Sequence, residues 1–205
     1  MNTLATRTKS MLLLSAAAAT LVVSGCAMTA STTAPADSRQ AAGVGPLTAE
    51  QRRDIANGYA DTLKRLFETT PGSRELVSKA AGALIFPRAV SAGFVVGGEF
   101  GNGELRVQDS FAGYYRTATG SLGLQVGAQS RALVFLFMTQ DALNKFRDSK
   151  GWSVGADASV AVLKVGANGT IDVNAARAPT IAFVMSNAGL MANLTLEGTK
   201  VTRIE

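Results

Sequence analysis

The chain has no histidine and a single cysteine, Cys26, among its 205 residues. The first absence excludes Ser-His-Asp and Cys-His catalysis and every histidine-ligated zinc site. The second leaves no partner for an intramolecular disulfide. A phosphate-cradling loop is missing too. The glycine cluster from Gly98 to Gly103 is not followed by a lysine-serine/threonine pair or by a helix that could offer its N-terminus to a phosphate. Carboxylate-pair and Ser-Lys chemistry stay formally open, but the spacing of the acidic residues points to neither. These absences disfavour an enzyme, and nothing in the sequence calls for a cofactor or metal. The first long apolar run, Met11 to Val23, falls short of the ~20 residues that span a bilayer.

That run follows Arg7 and Lys9 and precedes Val23-Ser24-Gly25-Cys26. A short basic segment, an apolar stretch and small residues make an export signal over residues 1–25. The last four residues resemble the bacterial lipobox, which implies diacylglycerol on Cys26, cleavage before it, and acylation of the new amino terminus. Two or three acyl chains anchor stably where one does not. Ala27 after the cysteine implies the outer membrane and a periplasm-facing domain. Without residues 1–25 the chain keeps 18 basic and 15 acidic side chains. This excess is compatible with anionic lipid and too small to argue for nucleic acid. Residues 26–47, rich in Ala, Ser, Thr, Pro and Gly, read as a flexible tether, and residues 48–205 as one folded domain.

Within that domain Thr48 and Gln51 match a capping box, and Ile55, Tyr59, Leu63, Leu66 and Phe67 share one face of a helix over 49–69. Thr70-Pro71 predicts an N-cap and first turn for a second helix through Lys79, ended by Gly82. Beyond it come short apolar runs broken by glycine. The expected strands are 83–86, 92–100, 103–109, 112–118, 122–128, 132–138, 156–165, 170–173, 181–185, 190–196 and 200–204, with one helix over 139–149. Gly101-Asn102-Gly103 and Asn168-Gly169 are the expected turns. Helices followed by many strands predict an α+β fold, with N-terminal helices on a strongly curled, mainly antiparallel, Gly-rich, barrel-like sheet.

From Lys79 onward six segments occur in an order that resembles the SYLF domain family. They are Ala83-Leu84-Ile85-Phe86-Pro87, Ala92 to Glu99, Gly101 to Leu105, Tyr114-Tyr115 with Gly123 to Gln129, Gly155 to Ser159, and Ser186 to Leu190 with Leu196-Glu197-Gly198. Val107-Gln108-Asp109-Ser110 stands where the family pattern is expected to place tryptophan before serine. The resemblance implies binding of anionic phospholipid without an enzymatic step. Arginine and lysine are the side chains that engage phosphate, which makes Arg52, Arg53, Lys64, Arg65, Arg74, Lys79 and Arg88 the candidate lipid-facing set. The same residues interleave with Asp54, Asp61 and Glu68 and read equally as a solvated helix face. Asp157 and Ser159 are candidates for a polar site inside the curled sheet, against the simpler reading of an Asp bonding turn amides. A rival function is an interaction lipoprotein that binds another envelope protein through an exposed strand edge.

Overall fold

The computed structural model describes residues 45–93, 96–122, 129–163, 171, 177–186, 189–190 and 196–204. The chain divides into two units, Met1–Pro35 and Ala36–Glu205, and all described residues belong to the second. The export signal, Cys26 and the Asn168-Gly169 turn lie outside the described residues.

Helix α1 spans Ala49–Thr69 and begins with the expected capping box, Thr48 accepting from the Gln51 backbone while Gln51 accepts from that of Thr48. Its buried face carries Ile55, Tyr59, Thr62 and Leu66. A short helix α2, Ser73–Lys79, follows. Thr70 closes α1 rather than opening α2, because its amide donates to the Leu66 carbonyl. Gly72, in the left-handed region at φ 81°, makes the turn between the two helices. Ala80 ends α2, and Gly82 already belongs to the sheet.

The strands are β1 Gly82–Gly93, β2 Val96–Val107, β3 Ser110–Leu122, β4 Gln129–Phe137, β5 Trp152–Ser153, β6 Ala161–Val162, β7 Thr180–Ser186, β8 Gly189–Leu190 and β9 Lys200–Arg203, with helix α3, Gln140–Asp148, after β4. They form one sheet in the order β5-β9-β3-β2-β1-β4-β7-β6, with β8 paired to β7. All pairings between these strands are antiparallel except β6 with β7. The α+β class and the strongly curled, half-barrel sheet with helices toward its N-terminal side are as expected.

Several expected boundaries are corrected. Gly101-Asn102-Gly103 runs inside β2, with Gly101 and Asn102 paired to both neighbours and Gly103 to β3. The turn falls instead at Gln108 and Asp109, both at positive φ, 50° and 62°, as a tight turn between two twisted strands demands. The expected strands 83–86 and 92–100 are recut, since β1 runs through to Gly93 and β2 begins at Val96. Among the described residues of the expected strand 156–165 only Ala161–Val162 are in a strand, since residues 155–157 form a turn.

Alternation along the strands gives the sheet two covered faces. On one, Leu84, Phe86, Leu105, Leu133, Phe135 and Phe137 meet α3 through Leu143 and Phe146, together with Trp152 and Val201. Phe137 and Phe146 stack with ring centroids 4.6 Å apart, and Trp152 meets Phe146 edge-on at 5.4 Å. On the other, Ile85, Val134, Leu136, Ile181 and Phe183 lie under Tyr59 and Leu66 of α1.

Pro87 sits in β1, a strand with neighbours on both sides. Proline cannot donate to a ladder, so it is tolerated there only at a bulge. The pairing of β1 does shift register at this point, between Ile85 and Arg88 toward β2 and between Phe86 and Ala89 toward β4. The bulge projects toward α1, and Gly58 receives it. A Cβ at Gly58 would lie 2.6 Å from Pro87 Cβ and 2.9 Å from its Cγ. Opposite the same bulge, a Cβ at Gly103 would collide with the Ile85 backbone and lie 2.7 Å from Phe86 Cδ1.

Gly58→Ala is therefore expected to destabilise the domain by about 1–3 kcal/mol through overpacking. In an unobstructed helix the same change would stabilise by roughly 1 kcal/mol. Thermal unfolding of the variant checks the sign, and a raised melting temperature would contradict the close approach.

Candidate functional site

The flank of α1 beside its buried face carries Leu63 and Phe67, both half-buried. The register of the helix places them toward α2 and the β2–β3 turn, and the three elements enclose a groove. One end, about 420 Å³, is lined by Leu63, Lys64, Phe67, Glu68, Arg74 and Asp109 among others. The adjoining end, about 520 Å³, shares Leu63, Phe67, Arg74 and Asp109 and adds Val77 and Ala80. Together they are in the size range of small-molecule sites.

Tyr59 and Arg106 form the inner wall. Arg106 projects from the end of β2 with its guanidinium 4.2 Å from the Tyr59 ring centroid. It bonds twice to Glu104 two residues earlier, Nε at 2.7 Å and Nη2 at 2.6 Å from the same Oε1. Glu104 is 2% exposed, and the guanidinium supplies the partner that a buried carboxylate needs. Burial pushes the Tyr59 phenol well above its ordinary range, with Arg106 partly opposing. Arg74, from the exposed side of α2, lies over the Phe67 ring at 4.2 Å, a cation-on-aromatic contact that holds the guanidinium at the groove mouth.

The seven basic residues singled out in the sequence do not form one face. Lys64 and Arg74 reach the groove. Arg52 lies 5.9 Å from the Tyr114 ring centroid, in a separate hollow with Phe111 and Arg203. Arg53 is exposed. Helical spacing puts Arg65 on the flank of α1 opposite Leu63 and Phe67. Lys79 closes a 2.6 Å ion pair with Glu75, whose carboxyl it holds below the usual range. Arg88 is exposed on β1 just past the bulge. Arg106 was missed by sequence reasoning. The alternation that puts Glu104 and Arg106 on one side of β2 was a usable signal.

Asp157 and Ser159 are both exposed, so they form no polar site inside the sheet, and the simpler turn reading of Asp157 holds. Asp157 Oδ2 accepts from the Ser153 amide at 2.6 Å, and its own amide donates to the Ser153 carbonyl at 2.9 Å. It is a turn residue. Besides Glu104 with Arg106, a buried carboxylate of the sheet is Glu99 of β2, paired with Arg131 of β4 at 2.6 Å across β1, the two 4% and 17% exposed. Nothing local in the sequence couples these two residues. Among the described residues no group of three or more acidic, Cys or His side chains could hold a metal, and no helix is long and apolar enough to cross a membrane.

These features define an α+β half-barrel domain with an apolar, charge-rimmed groove between its N-terminal helices and a strand hairpin. Residues 118–204 match the Ysc84 family model, described as Las17-binding protein actin regulator. The match is consistent with a domain of the SYLF family, in agreement with the resemblance read from the sequence. It covers the end of β3 through β9, whereas the groove is built from residues before it. No curated protein matches the chain.

Tyr59 leads to a test at alkaline pH. Its folded pKa is raised, so its contribution to stability is fully present below the unfolded value of about 10. That contribution is lost as pH climbs from there toward the folded value. Tyr59→Phe is expected to remove this component and flatten the fall of denaturant stability above pH ~10. Equal pH slopes for the two proteins would contradict it.

Proposed function

We propose that this protein is a lipoprotein of the cell envelope, acylated at Cys26, whose SYLF-like domain binds membrane phospholipid through the groove between α1, α2 and the β2–β3 turn. The observation that carries the reading is the pairing of an apolar floor, Leu63, Phe67 and Val77, with Lys64 and Arg74 at its mouth. A phospholipid is amphipathic in the same sense. Its phosphate suits a guanidinium or an ammonium, and the first methylenes of its chains suit an apolar strip. The SYLF match supports the reading, because the family is associated with lipid binding. In this reading the acyl anchor and the outer membrane supply proximity to the bilayer surface.

The experiment is co-sedimentation of the full chain with vesicles of mixed ethanolamine and glycerol phospholipids. It is done with Cys26→Ser, so that no acyl chain contributes. Phe67→Ser is expected to weaken vesicle binding by about 10- to 100-fold, from the apolar side chain it removes. Arg65→Ala, on the opposite flank, is expected to leave binding unchanged. Equal partitioning of the Phe67→Ser variant and its parent would sink the groove reading and favour docking of an envelope protein on a strand edge.

A further inference from the structure

The charge pattern of the groove carries a narrower conclusion, which rests on the phospholipid reading above. Lys64 and Glu68 are four residues apart on α1 and line the same end of the groove, yet no ion pair joins them. Elsewhere in the domain this spacing does close. Glu75 and Lys79 meet at 2.6 Å, and Asp141 and Lys145 at 2.9 Å. The difference is order. Both closed pairs place the acid N-terminal to the base, the favourable direction on a helix, whereas Lys64 precedes Glu68.

Arg74 and Asp109 repeat the situation. Arg74 is held by the Phe67 ring and by no carboxylate among the described residues, and Asp109 stands on the β2–β3 turn at the groove mouth. Arg106 is already neutralised by buried Glu104. The groove mouth thus presents two cations and two carboxylates, all four outside any ion pair among the described residues and with no net charge between them. Such a mouth has no long-range attraction for an anion. It offers separate partners to a ligand that carries both signs.

We infer that the groove takes a zwitterionic, amine-bearing phospholipid of the ethanolamine type from the membrane, with its phosphate on Lys64 and Arg74 and its ammonium on Glu68 and Asp109. An anionic glycerol phospholipid satisfies the cations and faces two carboxylates with no partner. This replaces the anionic preference that the SYLF resemblance implies with a preference set by the carboxylates of this chain. The apolar floor beside the charged mouth requires acyl chains, which separates a membrane lipid from free phosphoethanolamine.

The test is calorimetric titration of the full chain with water-soluble dihexanoyl phosphatidylethanolamine and dihexanoyl phosphatidylglycerol. The ethanolamine lipid is expected to bind at least about fivefold tighter, the equivalent of one charge contact. In Glu68→Gln/Asp109→Asn the mouth becomes net positive, and the order is expected to invert, the ethanolamine lipid weakening while the glycerol lipid strengthens. Both positions are exposed, and circular dichroism confirms that the variant is folded. A glycerol lipid bound as tightly as the ethanolamine lipid by the parent chain, or a ratio unmoved in the double variant, overturns the inference while leaving phospholipid binding intact. Absence of binding of either lipid, or binding insensitive to Phe67→Ser, overturns it together with the groove reading.

Discussion

The helical side of the sheet depends on the seat of Pro87 against Gly58. A proline inside a doubly paired strand forces a bulge, and the bulge projects as a knob. Only a helix residue without a Cβ lets the α1 backbone come down over it. With α1 fixed there, Tyr59 and Leu66 close one apolar layer, and Leu63 and Phe67 are held on the flank that faces α2. Gly103 accommodates the same bulge from β2, which keeps that strand continuous to Arg106. The groove is thus a consequence of how one strand irregularity is packed.

The domain uses its charges in two ways. Where a carboxylate is buried, a guanidinium stands against it, hydrogen-bonded in Glu104 with Arg106 and as an ion pair in Glu99 with Arg131. Each pair ties sequence-distant or alternating strand positions into one arrangement. Pairs of this kind add little net stability, because desolvation offsets the attraction, but losing one partner is costly. Around the groove mouth the opposite holds. Lys64, Glu68, Arg74 and Asp109 are solvated and separate, and they cost little to keep available for a ligand. The pair Glu104–Arg106 connects the two uses, since it fixes the inner wall of the groove while removing Arg106 from the net charge of the mouth.

Much of the local structure was legible in the sequence. The capping box at Thr48, the apolar stripe of α1 and the helix after Thr139 each depend on neighbours within four residues, and all appear as read. The errors lie where a local signal was outvoted. Gly101-Asn102-Gly103 has turn chemistry, but its glycines serve close approach to β1 and its bulge, so the turn moves to Gln108-Asp109. Thr70-Pro71 has N-cap chemistry, but Thr70 is taken by the Leu66 carbonyl. The basic residues were visible as a set, yet their division between groove, neighbouring hollow, ion pair and open surface was not. That division depends on helix register against the sheet. Arg106, Glu99 and Arg131 escaped notice because their partners are set by strand alternation and pairing.

What the sequence determined by itself was the short-range content: helix limits, the alternation that gives a two-faced sheet, the absence of histidine chemistry, and the α+β order of elements. These rest on interactions between near neighbours and on composition, which no packing arrangement alters. What the tertiary structure alone decided was which charges meet. A groove joining Phe67 and Lys64 of one helix, Arg74 of another and Asp109 of a strand turn requires the helix to settle on the Pro87 bulge at one height and one rotation. That geometry is fixed by contacts between residues some thirty positions apart, and no periodicity in the chain encodes them.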